Sequence, residues 1–182
     1  HLKGVTVETA SENLIIKNTV FDFTGEIVSE GPLSASGIVF DGLEQYSPTV
    51  TLDNVVIELS GNVQSYSDAS GISFVDFGRS DGPANMTMTD VLMRASASVH
   101  VGGYGTTGAG FLFLSSSMGG YWDNCSLFMD GLVEGDTSAH GVFFNSLILD
   151  SWMTNGLVIA VNGRTASYDG PVFGISFAKL SC

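Results

Sequence analysis

The chain has 182 residues, of which 44% are hydrophobic and 14% are charged, so it is no disordered chain and is long enough for one domain with a substantial core. Its formal net charge is −13, and its 6 basic side chains are too few to neutralise nucleic-acid phosphates or to hold an anionic membrane surface. No apolar run approaches the about 18 residues of a membrane-spanning helix. We therefore expect neither nucleic acid nor a membrane span.

A glycine followed by alternating large apolar residues recurs along the whole chain. It begins as Gly4-Val-Thr-Val7 and is clearer as Gly37-Ile-Val-Phe40. Alternation of β-branched and aromatic residues over four to six positions is typical of short strands and not of helices. The copies lie 31 to 39 residues apart and begin at Gly4, Gly37, Gly71, Gly110, Gly141 and Gly174.

A second phrase, an Asx residue followed by alternating apolar residues and often closed by glycine, lies between the copies of the first. The earliest copy is Asn18-Thr-Val-Phe-Asp-Phe-Thr-Gly25. Its copies begin 32 to 36 residues apart, at Asn18, Asn54, Asp90, Asn124 and Gly156. Two phrases that keep the same order and nearly the same period indicate a solenoid.

Three short strands fit each repeat, and in one repeat they are residues 71–74, 86–88 and 91–95. About two residues separate the last two strands, which is too few for a crossover to a parallel neighbour in one sheet. We therefore predict a corner there between two different sheets. The Gly-rich residues 98–110 are interpreted as a flexible loop on another face.

The predicted corner explains the Asx residue, because Asn and Asp tolerate the left-handed backbone conformation and bond to their own backbone. Gly156 supplies the same backbone geometry without a side chain. The predicted structural ladder consists of Asn18, Asn54, Asp90 and Asn124.

The strand–Asx corner–strand phrase and the Gly-initiated strand resemble the right-handed parallel β-helix of pectate-lyase-like proteins over essentially the whole chain. The handedness is implied by that resemblance. We expect an all-β fold, a single-stranded parallel β-helix of about five coils with three short strands each, as one domain over residues 1–182. This architecture carries lyases, hydrolases, adhesins and phage spikes, so it does not by itself assign a function.

The resemblance implies that an enzyme with this architecture would act on polysaccharides. Lyases of the family need a basic residue to take a proton, and hydrolases need clustered carboxylates for acid–base catalysis. The few Lys and Arg residues fall on different coils or sides. The nearest match to a Gly-His-Gly segment of the hydrolases is Ala139-His140-Gly141, which lacks its partner carboxylates. His140 is interpreted as a turn histidine at a strand entrance, and the chain is not expected to be an enzyme or to hold a resident cofactor.

Four carboxylates follow consecutive Gly-initiated strands and are expected on one face, about 5 Å apart along the axis. Oxygen ligands on loops suit Ca²⁺, which makes them candidate calcium ligands. A solvated acidic face is the favoured alternative. The four residues are Asp41, Glu44, Asp76 and Asp81.

The two cysteines are predicted to lie two coils, or about 10 Å, apart, whereas a disulfide needs Cα atoms within about 7 Å. Unless the last residues bend back, Cys182 is free or forms an intermolecular disulfide, and Cys125 can be a small buried apolar residue. Asn85-Met-Thr is a candidate glycosylation site in a loop. The second sequon begins at Asn124, whose amide is expected to be engaged at the corner.

Neither end of the repeat shows a capping helix or a polar terminal repeat, and uncapped apolar ends need a partner. The simplest partner is a second copy stacked head to tail. We therefore predict an extracellular or cell-surface structural subunit that assembles into a filament, sheath or surface layer. There are six Gly-initiated strands but five copies of the other strands, so residues 1–8 are hypothesised to complete a neighbour's coil.

The alternative is a glycan-binding adhesin or tail-spike fragment, and a small polysaccharide lyase or hydrolase ranks third. Exposed aromatic residues would stack on sugars. Trp122 is expected in the core instead, because its strand position matches Leu52 and Met88. The aromatic candidates are Tyr46, Tyr66, Tyr104, Tyr121 and Trp122.

Overall fold

The computed structural model describes residues 2–8, 13–45, 49–77, 84–114, 118–145 and 152–177. Within these ranges the chain forms eighteen β-strands in three parallel sheets. The same ranges contain no helix of the length and hydropathy needed to cross a membrane.

The first sheet has six strands, each beginning close to one of the repeated glycines. In spatial order they are β1 (Leu2–Glu8), β4 (Ala35–Gln45), β7 (Ala69–Phe77), β10 (Thr107–Leu114), β14 (Ser138–Asn145) and β18 (Val172–Phe177).

The second sheet contains the Asx corner. Its strands, from one end of the molecule to the other, are β2 (Asn13–Phe23), β5 (Thr49–Leu59), β8 (Ala84–Ala95), β11 (Met118–Asp123) with β12 (Ser126–Met129), and β15 (Trp152–Asn155) with β16 (Val158–Val161).

The third sheet is built from the shortest strands. They are β3 (Glu26–Ser29), β6 (Asn62–Ser65), β9 (Val99–Val101), β13 (Leu132–Gly135) and β17 (Arg164–Ser167).

The chain visits the three sheets in turn, and each strand pairs in parallel with its equivalent one coil away. The predicted all-β parallel solenoid is therefore confirmed. Among the described residues the chain passes five times through the second and third sheets, and these passes are joined by four coil-to-coil stackings. The number of coils therefore differs little from the about five predicted.

Two details of the strand prediction are wrong. The residues before and after the Asx corner belong to one sheet, because β2, β5 and β8 run through the corner without losing register with their neighbours. The predicted loop over residues 98–110 contains β9, a strand of the third sheet. These third-sheet strands are only three or four residues long and carry few large apolar side chains, so their alternation is a weak signal.

The interior is filled by side chains that stack at equivalent positions of successive coils, which we call register columns. One column runs Phe40, Phe74, Phe113, Phe144 and Phe177, with neighbouring ring centroids 4.6 to 5.2 Å apart and nearly parallel. Trp122 is fully buried and pairs with Met88, which in turn pairs with Leu52. Its predicted core position is confirmed.

The repeated glycine has a steric cause. A Cβ added to Gly71 would lie 2.6 Å from the carbonyl oxygen of Gly110 in the next coil, and one added to Gly110 would lie 2.7 Å from that of Gly141. Real Cβ atoms do not approach a backbone oxygen so closely. The first-sheet strands therefore pack at these positions only when the side chain is a hydrogen atom.

Candidate functional site

The Asx corner has the backbone geometry that the ladder requires. Asn18, Asn54, Asp90 and Asn124 have φ angles of 50 to 53°, and Gly156 has φ 64°. The amide of Asn54 donates to Oδ1 of Asn18 at 2.8 Å, and that of Asn124 donates to Oδ1 of Asp90 at 2.5 Å. The corner residues are exposed, and their side chains form hydrogen bonds with one another between neighbouring coils. We therefore assign the corner a structural role.

The four candidate calcium ligands are only partly described. Asp41 is buried and accepts a hydrogen bond from Nζ of Lys3 at 3.0 Å, while Asp76 is exposed and has φ 57°. The side chain of Glu44 and the whole of Asp81 lie outside the described residues. The described residues contain no group of three or more His, Cys, Asp or Glu side chains that could hold a metal ion. The calcium site stays a prediction.

His140 lies on the outer side of β14, between two serine hydroxyls. Its Nδ1 is 2.5 Å from Oγ of Ser176, its Nε2 is 3.0 Å from Oγ of Ser138, and its ring stacks on those of Phe143 and Phe173. Burial lowers the pKa of His140, because it disfavours the charged imidazolium. No carboxylate is among its hydrogen-bond partners in the described part of the chain. His140 is a strand residue and not the turn residue expected.

Cys125 is fully buried and its thiol donates to backbone carbonyls of Met88 and Asp123. Burial raises the pKa of the Cys125 thiol, which makes it a poor nucleophile at neutral pH. Cys182 lies outside the described residues, so its intermolecular disulfide stays a prediction. Asn85 is exposed, as glycosylation requires, but it lies on β8 and not in the loop expected.

The exposed aromatic residues are tyrosines. Tyr121 is moderately exposed on the second sheet, Tyr66 and Tyr104 are exposed beside the third sheet, and Tyr46 lies outside the described residues. Sequence reasoning missed Tyr168, which is 84% exposed and follows the last third-sheet strand. Recognising the short third-sheet strands would have placed it, since it follows β17 as Tyr66 follows β6.

A groove with a volume of about 480 Å³ lies along the outer side of the first sheet. Its charged lining includes Lys3, Asp41, Asp68 and Asp76. Asp68 already accepts a hydrogen bond from the backbone N–H of Thr107 at 2.7 Å, and Asp41 pairs with Lys3. These two carboxylates hold neighbouring coils together.

The two ends of the solenoid expose side chains that belong to core columns. At one end Ile175 and Phe177 are each 42% exposed, although their partners in β14, Val142 and Phe144, are fully buried. At the other end Val5 and Val7 are half-buried, and their partners in β4 are fully buried. Both ends therefore present apolar surface with the chemistry of the interior.

Basic side chains pair with carboxylates of the following coil. Lys3 pairs with Asp41 at 3.0 Å, Lys17 with Asp53 at 3.0 Å, and Arg94 with Asp130 at 3.5 Å. Arg164 lies in the last coil, is exposed, and has no ion pair among the described residues.

The register places a carboxylate in the column of Arg164. Arg164 pairs with Leu132, and Glu26 pairs with Asn62. The intervening strand β9 joins the two pairs, because Val99 pairs with both Val63 and Val133. Glu26 is exposed at the first end of this column and Arg164 is exposed at the last.

The chain matches no protein-family model, no curated protein and no solved structure. What is shown of the chain is therefore the parallel β-solenoid fold.

Proposed function

We propose that this protein is a structural β-solenoid subunit, extracellular or at the cell surface, that associates end to end into a filament, sheath or surface assembly. The observation that carries the proposal is the pairing rule for basic residues. Each described Lys or Arg before the last coil meets a carboxylate of the next coil, and stacking a second copy would give Arg164 the same partner in Glu26.

Apolar burial supplies the driving force for this stacking. Ile175 and Phe177, the exposed core-column side chains of the last strand, would be covered by the first coil of the next copy. Burying apolar surface contributes about 25 cal/mol per Å². An exposed ion pair adds only about 0–1 kcal/mol, so Arg164 and Glu26 set register and direction more than affinity.

The chain passes six times through the first sheet but only five times through each of the other two. Two complete copies would therefore bring two first-sheet strands, β18 and β1, to the same position of the stack, and one of them must move. In the structure β1 pairs with β4 of its own chain. The stack becomes seamless when β18 of one copy takes the place of β1 in the next. Phe177 would then stack on Phe40 and continue the phenylalanine column, whereas β1 offers only Val7 at that position.

The test is negative-stain electron microscopy and sedimentation velocity over a range of concentrations at about 0.15 M salt, where a Debye length of about 8 Å weakens repulsion between acidic copies. We expect filaments with an axial repeat of about 24 Å, five coil rises. Removing residues 1–8 is expected to favour assembly because it opens β4. Loss of filaments in reductant would assign a role to Cys182.

Gly174→Ala separates stacking from folding. Gly174 continues the glycine column, but no atom lies within 4 Å of the position that a Cβ would take there. The monomer should therefore tolerate alanine. In a stack, the new methyl group would collide with the backbone of the next copy. Gly31→Ala, where the added Cβ also meets nothing, is the matched control. Arg164→Glu should weaken assembly and Arg164→Glu with Glu26→Arg should restore it. Monodisperse particles at high concentration would refute the proposal.

Glycan binding is the second candidate function, because exposed tyrosines lie along one corner of the solenoid.

A further inference from the structure

We propose that the corner following the third sheet binds a linear, uncharged oligosaccharide in a trough between Tyr104 and Tyr168. This names the site of the second candidate function and does not depend on end-to-end association. The two tyrosines are 86% and 84% exposed. They line one cavity of about 410 Å³ together with His100, Glu134 and Asp136.

The trough exists because one register column carries different side chains in successive coils. Continuing the register of three pairings, Ser65 with Val101, Val99 with Val133 and Gly135 with Ser167, gives a column of Tyr66, Gly102, Asp136 and Tyr168. Gly102 leaves open space beside Asp136 and Tyr168, and Tyr66 lies one coil beyond the cavity. Two coil rises separate Gly102 from Tyr168, about 10 Å along the axis, which suits an extended ligand lying parallel to the axis.

The backbone around the trough is held before any ligand arrives. Oδ2 of Asp136 accepts a hydrogen bond from the N–H of Gly105 at 2.7 Å, which fixes the turn that carries Tyr104. The hydroxyl of Thr106 closes the same turn by donating to the carbonyl of Gly103. The N–H of Tyr168 donates to the carbonyl of Gly135 at 3.1 Å. A backbone that is already fixed lowers the cost of ordering this turn on binding.

The base of the trough offers hydrogen-bond acceptors, because Glu134 can only accept and the Nδ1–H of His100 is the donor between them. Nδ1 of His100 and Oε2 of Glu134 are 2.7 Å apart, which orients the two side chains. Nε2 of His100 and Oε1 of Glu134 have no hydrogen-bond partner among the described residues, and both side chains are more than one-third exposed. Sugar hydroxyls can donate to both of these free acceptors, while the tyrosine faces receive the C–H faces of the sugar rings.

Charge narrows the ligand class. Glu134 and Asp136 place carboxylates in the trough, and the whole chain carries a formal charge of −13, so uronic-acid or sulfated glycans and phosphate esters are repelled. A cation would also be attracted by carboxylates and tyrosine faces. A quaternary ammonium group has no N–H to donate to Nε2 of His100 or to Oε1 of Glu134, whereas a neutral sugar donates hydroxyl hydrogens to both and covers the tyrosine faces.

The experiment is a glycan array of neutral and anionic linear oligosaccharides, followed by calorimetric titration of the full chain with each oligosaccharide that binds. We expect binding to neutral glycans only, and a loss of about tenfold in affinity for Tyr104→Ala and for Tyr168→Ala. Tyr121→Ala, which removes an exposed tyrosine from the second sheet, is the matched control and should leave affinity unchanged. Glu134→Gln, which keeps the shape of the side chain, should also weaken binding.

Four outcomes would overturn the proposal. These are no binding to any neutral glycan, a preference for anionic glycans, affinity that Tyr104→Ala and Tyr168→Ala leave unchanged, or binding of choline in place of sugars. Because the variants lie on the exposed side of the solenoid, circular dichroism and melting temperature should match those of the unaltered chain. Sedimentation velocity of the same variants reports end-to-end association separately, so failure of either proposal is distinguishable from failure of the other.

Discussion

At the residue scale, the Asx corner uses a strained backbone conformation that only a few residue types accept. Asn54 has φ 52° and its side-chain amide donates a hydrogen bond to Asn18, whereas Gly156 adopts the same corner conformation in the last coil without a side chain. The chain thus contains two chemical solutions for one corner. One supplies a hydrogen bond between coils, and the other avoids the steric cost of a Cβ.

Replacing Asn54 separates these two contributions. Asn54→Ala keeps a Cβ in the left-handed conformation and loses the amide bond, so the free energy of unfolding should fall by about 2–3 kcal/mol. Asn54→Gly loses only the bond and should cost about 1 kcal/mol. Urea unfolding followed by circular dichroism measures both. Equal losses for the two variants would contradict a role for backbone strain.

His140 should make stability depend on pH. Burial lowers its pKa in the folded state below the unfolded value of 6.5, so the unfolded chain binds more protons in the window below pH 6.5. The contribution of His140 is therefore complete above that pH and is lost as the pH falls towards the folded pKa.

The comparison is with His140→Phe, which keeps a ring for Phe143 and Phe173 to stack on and removes the titrating group. Urea unfolding between pH 7.5 and pH 5 should show a smaller loss of stability for the variant than for the unaltered chain. The measured quantity is the slope against pH, since the variant also leaves two serine hydroxyls without their imidazole partner. Parallel slopes would refute the assignment.

At the element scale, the first-sheet strands approach one another at the glycine column. Gly71→Ala would place a methyl group 2.6 Å from a backbone oxygen of the next coil, and both strands are held by their registers on either side. Strain from such overpacking is about 1–3 kcal/mol.

Thermal and urea unfolding should therefore show Gly71→Ala to be destabilised by about 1–3 kcal/mol, with Gly31→Ala within about 0.5 kcal/mol of the unaltered chain. Gly31 is the suitable control because nothing lies within 4 Å of its built Cβ. A Gly71→Ala variant as stable as the Gly31→Ala control would show that the strands move apart without cost.

At the scale of the whole molecule, the three sheets transmit a single register from one end to the other. That continuity places Glu26 and Arg164 in one column although 138 residues separate them in the sequence. It also leaves core-column side chains exposed in the last strand and half-buried in the first coil, because every coil relies on its neighbours for burial. The proposed end-to-end association would satisfy the charges and the apolar columns in one arrangement.

The sequence by itself determined the solenoid, the parallel pairing and the left-handed backbone at the Asx positions, although it placed a boundary between two sheets there that the structure does not have. Glycine, Asx and alternating apolar residues are local requirements of backbone sterics and side-chain periodicity, and repetition multiplies each weak signal. It also predicted the burial of Trp122, because equivalent positions in successive repeats must stack.

Only the tertiary structure decided the third sheet and the surfaces. Strands as short as Val99–Val101 are ordered by hydrogen bonds to neighbouring coils, so their own residues give only a weak strand signal in the sequence. The trough between Tyr104 and Tyr168 and the column joining Glu26 to Arg164 depend on which residues of distant repeats meet. Such meetings follow from the register between coils, and no local pattern within one repeat specifies that register.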